Sequence, residues 1–128
     1  MTDKVVDASA VVALLFNELT RDVVVERLRG ASLHAPSLLK FEVANACLKK
    51  MRAFPNEREA LLQAFHLFDH LSITPETIDF GAAIALAERA GLSLYDASYL
   101  WLAEVMRAEL VTLDGELARA DEELRGSK

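Results

Sequence analysis

The chain has 128 residues, 52% of them hydrophobic, and a formal net charge of −6. This length fits one domain, residues 1–128, with a full core, and the acidic balance argues against broad nucleic-acid binding driven by net charge. The first four residues do not resemble a signal peptide, and the longest apolar run, residues 10–16, is too short to span a membrane.

Short apolar strands alternate with amphipathic helices along the chain. Strands are predicted at residues 5–6, 33–35, 71–74 and 109–113. Helices are predicted at residues 9–18, 20–29, 37–53, 57–71, 75–91, 93–107 and 115–124, followed by a frayed tail at 125–128. This alternation predicts an α/β fold, with a parallel sheet of about four to five strands flanked by helices.

The third and fourth predicted helices form a helical hairpin over residues 37–71, with a break at Phe54-Pro55-Asn56. The hairpin carries more apolar side chains than one face can bury in so small a core. We therefore expect Leu62, Phe65 and Phe68 to contribute to an interface between subunits.

Four acidic residues interrupt apolar patterns where predicted elements start or end: Asp7, Glu42, Asp96 and Asp114. Ligands of open parallel sheets bind at the carboxyl ends of the strands, so acids far apart in sequence can meet at that edge. Clustered carboxylates repel one another and usually meet only to hold a divalent cation. The sequence therefore predicts a metal-dependent enzyme.

Three of these acids also have a structural interpretation. Asp7 could cap the helix that follows it, as could Ser9, which could alternatively orient a metal-bound water. Asp96 stands three residues after Ser93, the spacing of a capping box, and Asp114 precedes a glycine as in an Asp-Gly turn. Capping and metal binding are compatible at Asp96, because the positive end of the helix dipole favours the charged carboxylate.

Glu42 lies about one turn into its helix, with Asn45 and Lys49 three and seven residues further on. One interpretation is a solvated polar stripe. The helix is otherwise strongly apolar, however, which favours a functional role for Glu42. Asn45 is well placed to hydrogen-bond Glu42 or a metal-bound water.

Three other side chains could carry chemistry. Cys47 excludes an internal disulfide and lies on the apolar face of its helix, so we interpret it as an inert core thiol in a reducing, cytoplasmic setting. His66 and His70 are four residues apart, but only Asp69 could join them as a third ligand. They are interpreted as part of a surface helix face.

Four segments contain the acids: residues 6–10 (VDASA), 36–46 (PSLLKFEVANA), 92–103 (LSLYDASYLWLA) and 110–114 (LVTLD). In these segments, and in the order of their acids, the chain resembles the PIN-domain ribonucleases, and most closely the VapC toxins of prokaryotic toxin–antitoxin pairs. The polar residues Ser9, Asn45 and Thr112 also match positions that accompany the acids in the family. The resemblance covers nearly the whole chain.

The resemblance implies a PIN-like sandwich with Mg²⁺ or Mn²⁺ at the acidic rim and RNA as the substrate. Asp7, Asp96 and Asp114 would hold a metal that polarises the phosphate and activates a water, and Glu42 would act through a water or a second ion. The family also implies a homodimer and a small VapB-type antitoxin that inserts a tail segment into the groove. The basic residues nearest the acids in sequence are Lys40, Lys49, Lys50 and Arg52.

Two other functions compete with a ribonuclease. A non-catalytic PIN-like module could bind RNA or a protein without cutting, although four clustered carboxylates would then have no purpose. A metal phosphatase could act on small phosphate esters. That class uses an Asp-x-Asp nucleophile motif, and here Ser9 stands where the second aspartate would be.

Overall fold

The computed structural model describes residues 1–126. Four strands form one parallel sheet: Thr2–Val6 (β1), Ala31–Pro36 (β2), Thr74–Glu76 (β3) and Glu109–Val111 (β4). The helices are Ala8–Leu15 (α1), Arg21–Leu28 (α2), Leu39–Ala53 (α3), Arg58–His66 (α4), Phe80–Ala90 (α5), Leu94–Met106 (α6) and Gly115–Gly126 (α7). The predicted α/β fold with a parallel sheet is confirmed. Within residues 1–126, no helix has the length and apolar character needed to cross a bilayer.

The strand order β3-β2-β1-β4 places β1 inside the sheet, paired with β2 and β4. Val5 and Val6 of β1 and Val111 of β4 are completely buried, as expected for a parallel sheet covered by helices on both faces. Beyond the last paired strand residues, the Asp7 backbone N–H donates to the Val111 carbonyl at 3.2 Å. The carboxyl ends of β1 and β4 therefore remain side by side where the first and last acids follow.

The predicted start of a helix at Pro75 is wrong. Pro75 lies in β3, where it pairs with Ala35. Because β3 is an edge strand, proline is tolerated there without a backbone N–H. Helix α5 begins at Phe80. The preceding residue, Asp79, caps it, because the Asp79 side chain accepts a hydrogen bond from the Ala82 N–H at 3.0 Å. A capping aspartate, not the proline, sets the start of the helix.

Two other predicted boundaries also change. The helix predicted over residues 57–71 is divided into α4 and a 3₁₀ turn at Phe68–Leu71, which ends at Ser72 in the left-handed region with φ 53°. At the other end of the chain, Arg125 belongs to α7, and its guanidinium donates to the Ala108 carbonyl at 3.0 Å. The predicted frayed tail is thus wrong for residues 125–126, and residues 127–128 lie outside the described residues.

The predicted hairpin is present, because α3 and α4 follow each other and pack together. Phe65 and Phe68 are half-buried and pack against the hydrophobic core, and Leu62 is also half-buried. Phe65 and Phe68 therefore have apolar neighbours within one chain. Phe41 and Phe80 are much more exposed, at 81% and 62% of their surface.

Candidate active site

Asp7 follows β1 directly and is 95% buried, with an exposed fraction of 5%. It caps α1, as its capping interpretation predicts: Oδ1 accepts hydrogen bonds from the Ala10 N–H at 3.1 Å and from the Ser9 hydroxyl at 2.7 Å. Oδ2 accepts from the Thr112 hydroxyl at 2.5 Å. A carboxylate offers about four lone-pair sites, so one site on Oδ2 remains for a further partner.

Ser9 and Thr112 join the ends of β1 and β4 through Asp7. Ser9 Oγ accepts from the Leu113 N–H at 2.9 Å, and Thr112 Oγ1 accepts from the Asp114 N–H at 3.0 Å. Each hydroxyl thus gives its only proton to Asp7 while accepting from the backbone after β4. Ser9 therefore orients the Asp7 carboxylate.

Asp114 begins the turn from β4 into α7. Its Oδ1 accepts from the Glu116 N–H at 3.0 Å, and its carbonyl accepts from the Ala118 N–H at 2.9 Å. Asp114 therefore acts as a helix cap, a more specific role than the predicted Asp-Gly turn. Only one of its carboxylate oxygens is used by this cap.

Glu42 reaches the same region from the first turn of α3. It is half-buried, and its Oε1 accepts a hydrogen bond from the Tyr99 hydroxyl of α6 at 2.6 Å. The solvated-stripe interpretation is therefore wrong for Glu42, although Asn45 and Lys49 are exposed. Asn45 makes no side-chain hydrogen bond to Glu42 within residues 1–126; Tyr99 holds that carboxylate instead.

Asp96 lies in the first turn of α6, and its backbone N–H donates to Ser93 Oγ at 3.1 Å. This is one half of the predicted capping box. The other half would be a bond from the Ser93 N–H to the Asp96 carboxylate, and it is not formed within residues 1–126. The Asp96 carboxylate is half-buried and remains available to another partner.

The acids lie near enough to affect one another's protonation. Burial raises the pKa of Asp7, and the Asp114 charge raises it further against the lowering effect of its hydrogen bonds. Burial also raises the pKa of Glu42, as do the charges of Asp96 and Asp7. The pKa of Asp96 rises through burial and through Asp114, Asp7 and Glu116. A divalent ion bound among these carboxylates would relieve their mutual repulsion.

The acids at this site offer oxygen ligands to a metal ion without forming a ready-made cage. Within residues 1–126, no three His, Cys, Asp or Glu side chains are placed to hold one ion directly, so the predicted set of Asp7, Asp96 and Asp114 is not a preassembled cage. The available donors are all carboxylate oxygens, however, the ligands that Mg²⁺ and Mn²⁺ prefer. Mg²⁺ keeps several waters and needs only one or two direct carboxylates. The residues therefore fit a water-rich ion.

Two site residues were missed in the sequence. Tyr99 follows Asp96 by three residues, which places both on one face of α6, and this spacing could have drawn attention to it. Tyr99 is 1% exposed, and burial together with the Glu42 carboxylate raises the pKa of its hydroxyl far above the usual range. Glu116 is exposed in the first turn of α7 and adds a fifth negative charge beside Asp96.

A groove of about 490 Å³ lies between α1 and α3, and Glu42 is the site acid that lines it. Ser9, Glu42, Asn45 and Lys49 line it, together with Glu18. Of the lysines on α3, Lys40 pairs with Asp69 at 3.1 Å, and Lys50 pairs with Glu18 at 3.3 Å. Lys49 has no ion-pair partner in the described part of the chain, so a cation faces the groove beside Glu42.

The remaining chemistry-bearing side chains lie elsewhere. Cys47 is buried, and burial raises the pKa of its thiol, so the interpretation as an inert core residue is confirmed. His66 and His70 are exposed and take part in no three-ligand cluster within residues 1–126. His34 lies between Asp3 and Glu76, with its two ring nitrogens 2.9 and 2.8 Å from their oxygens, and links three strands.

Comparison with known proteins identifies the family. The PIN domain profile matches residues 4–123. Over 120 residues the chain is 38% identical to a protein named Ribonuclease VapC3 from Pyrobaculum aerophilum, covering 89% of this chain and 91% of that one. It is 31% identical to Ribonuclease VapC12 from Mycobacterium tuberculosis, covering 91% of this chain and 90% of the relative.

The crystal structure of PAE2754 from Pyrobaculum aerophilum superposes with a TM-score of 0.75 at 26% identity, covering 98% of this chain and 94% of that one. The structural match extends over the sheet, the flanking helices and the edge that carries the acids. The chain belongs to the PIN-domain family.

Proposed function

We propose that this chain is a VapC-like endoribonuclease toxin, which hydrolyses phosphodiester bonds in RNA with the help of Mg²⁺ or Mn²⁺. The observation that carries the proposal is that four acids from four separate elements, Asp7, Glu42, Asp96 and Asp114, lie near enough for their charges to act on one another. The relatives named Ribonuclease VapC support RNA as the substrate.

In this proposal Asp7, Asp96 and Asp114 hold the cation, one or two of them directly and the others through its waters. When bound, the cation would polarise the phosphate and lower the pKa of a water. Ser9 and Thr112 fix the Asp7 carboxylate, so that its remaining lone pair points in one direction. Glu42 keeps one oxygen outside its bond with Tyr99, and that oxygen can accept a hydrogen bond from the attacking water.

The partner in this proposal is a VapB-type antitoxin whose tail segment occupies the groove beside Glu42 and excludes RNA. A cytoplasmic location is part of the same proposal. The relevant observation is the neighbouring gene: a short upstream reading frame with a DNA-binding N-terminus would support the toxin role.

A metal phosphatase remains the weaker enzyme candidate. Ser9 stands where the nucleophile motif has its second aspartate, and its hydroxyl donates a hydrogen bond to Asp7. Asp7 itself accepts three hydrogen bonds and is largely buried, so it is poorly placed as a nucleophile.

Lys49 is expected to contact an RNA phosphate, because it lines the groove and has no ion-pair partner among residues 1–126. Lys49→Gln should weaken binding of single-stranded RNA several-fold and reduce the slope of log affinity against log salt by about 0.7. Fluorescence anisotropy in an Asp96→Asn background measures binding without cleavage. Lys40→Gln is the matched control, since Lys40 already pairs with Asp69. Equal losses in both variants would contradict a specific role for Lys49.

We also propose a homodimer. Phe80 and Leu94 line an apolar cavity of about 310 Å³ with Leu38, and Phe80 is largely exposed. Sedimentation at micromolar concentration should show a dimer, and Phe80→Ser should shift it towards monomer. Phe65→Ser should instead lower the free energy of unfolding by about 2 kcal/mol, because Phe65 packs against the core. A wild-type monomer at this concentration would remove the claim.

A further inference from the structure

Within residues 1–126, the Tyr99 hydroxyl is the one group that donates a hydrogen bond to the Glu42 carboxylate, with Oη 2.6 Å from Oε1. The two residues are 57 positions apart and come from α6 and α3. Tyr99 is 1% exposed and is among the largest fully buried side chains. Its ring is therefore fixed by the core, and the direction of its hydroxyl is fixed with it.

From this contact we propose that Tyr99 is a positioning residue, which commits Oε1 of Glu42 and presents Oε2 alone to the ion or the attacking water. The inference rests on the proposed ribonuclease function. Glu42 has a long side chain and is only half-buried, so without a partner its carboxylate would sample several rotamers. A hydrogen bond to an ionised acceptor is short and about twice as strong as a neutral one. One bond from a rigid donor therefore selects one carboxylate orientation.

The choice of partner is informative. A buried tyrosine hydroxyl needs an acceptor, and any backbone carbonyl would satisfy that need. Here the acceptor is a carboxylate close to Asp7 and Asp96, whose charges act on both Glu42 and Tyr99. The hydroxyl carries no net charge, so it holds Glu42 among the acids without neutralising the site that attracts a cation. A lysine in this place would compete with the metal.

The test is a double-mutant cycle with Tyr99→Phe and Glu42→Ala, measured by Mn²⁺ calorimetry and by RNA cleavage. Tyr99→Phe keeps the buried ring and removes only the hydroxyl. Loss of a group that supports a metal-site residue typically costs 10- to 100-fold in metal affinity or activity. We expect Tyr99→Phe to reduce RNA cleavage by about 10-fold or more, through a lower kcat with KM little changed.

Tyr95→Phe is the matched control, because Tyr95 lies on the same helix, is 61% exposed and makes no side-chain hydrogen bond within residues 1–126. It should behave as wild type. In the Glu42→Ala background, Tyr99→Phe should cause no further loss, because a residue that acts through another becomes silent when that other is absent. An undiminished effect in that background would overturn the proposal. So would wild-type cleavage and Mn²⁺ affinity in Tyr99→Phe.

One further measurement separates this inference from the ribonuclease proposal. The ¹³C resonance of the Glu42 carboxyl group, recorded without metal or RNA, should shift in Tyr99→Phe and not in Tyr95→Phe. An unchanged resonance would contradict the positioning role whatever the activity. A wild-type chain that cleaves no RNA, but whose Glu42 resonance responds, would contradict the ribonuclease function and leave the hydrogen bond to Glu42 supported.

Discussion

Asp96→Asn is expected to abolish both growth arrest and metal-dependent RNA cleavage, with a fall in rate of about 1,000-fold or more. A bound metal stabilises the negative charge of the transition state by several kcal/mol, and each 1.36 kcal/mol changes the rate tenfold. Asparagine has the shape of aspartate but lacks the charge that the cation needs. The cap bond at this position comes from the Asp96 backbone N–H to Ser93, so the substitution leaves it in place.

The folded state should tolerate this change well. Burial and the charges of Asp114, Asp7 and Glu116 raise the pKa of Asp96, so the ionised form is disfavoured in the metal-free protein. In EDTA at neutral pH the melting temperature of Asp96→Asn should therefore equal or exceed that of wild type. A large decrease would show that the carboxylate has a structural role.

The decisive comparison is growth arrest at matched expression. Asp79→Asn is the control, because Asp79 also caps a helix and asparagine caps as well as aspartate. That variant should remain as toxic as wild type. If Asp96→Asn is equally toxic, the harm comes from binding, and the non-catalytic module becomes the better explanation.

Asp7→Asn is expected to remove the stabilisation that metal confers on the wild-type chain. An ion that binds only the folded state stabilises it by about 2.7 kcal/mol at a concentration of 100 Kd. For a domain of this size that corresponds to a rise in melting temperature of roughly 10 °C. Asparagine leaves an acceptor for the Ala10 N–H cap but replaces the second carboxylate oxygen by an NH₂ group, which carries no charge and cannot ligate the ion.

The quantity to compare is the metal-induced rise within each variant, because Asp7→Asn also disturbs the bond from Thr112. Differential scanning fluorimetry with millimolar Mn²⁺ or Mg²⁺, against EDTA, measures it. Asp22→Asn controls for non-specific binding, since the Asp22 side chain is 99% exposed on α2. An equal rise in Asp7→Asn and wild type would place the metal elsewhere.

The sequence by itself determined the alternation of strands and helices and the position of each acid at an element boundary. These features depend on local chemistry. Val5 and Val6 read as a buried strand because both are apolar, and Asp7 and Ser93 read as helix caps because their side chains reach the next turn. Local signals failed at Pro75, where pairing with Ala35 in an edge strand overrode the preference of proline for a helix start.

Only the tertiary structure decided which side chains hold the acids in place. The bonds from Thr112 to Asp7 and from Tyr99 to Glu42 join residues 105 and 57 positions apart. The partner of Tyr99 depends on where the folded sheet places α6 relative to α3. The burial of Phe65 and Phe68 within one chain is likewise set by packing. A sequence pattern indicates which face of an element is apolar. It does not indicate which distant element packs against that face, because folding of the sheet decides that.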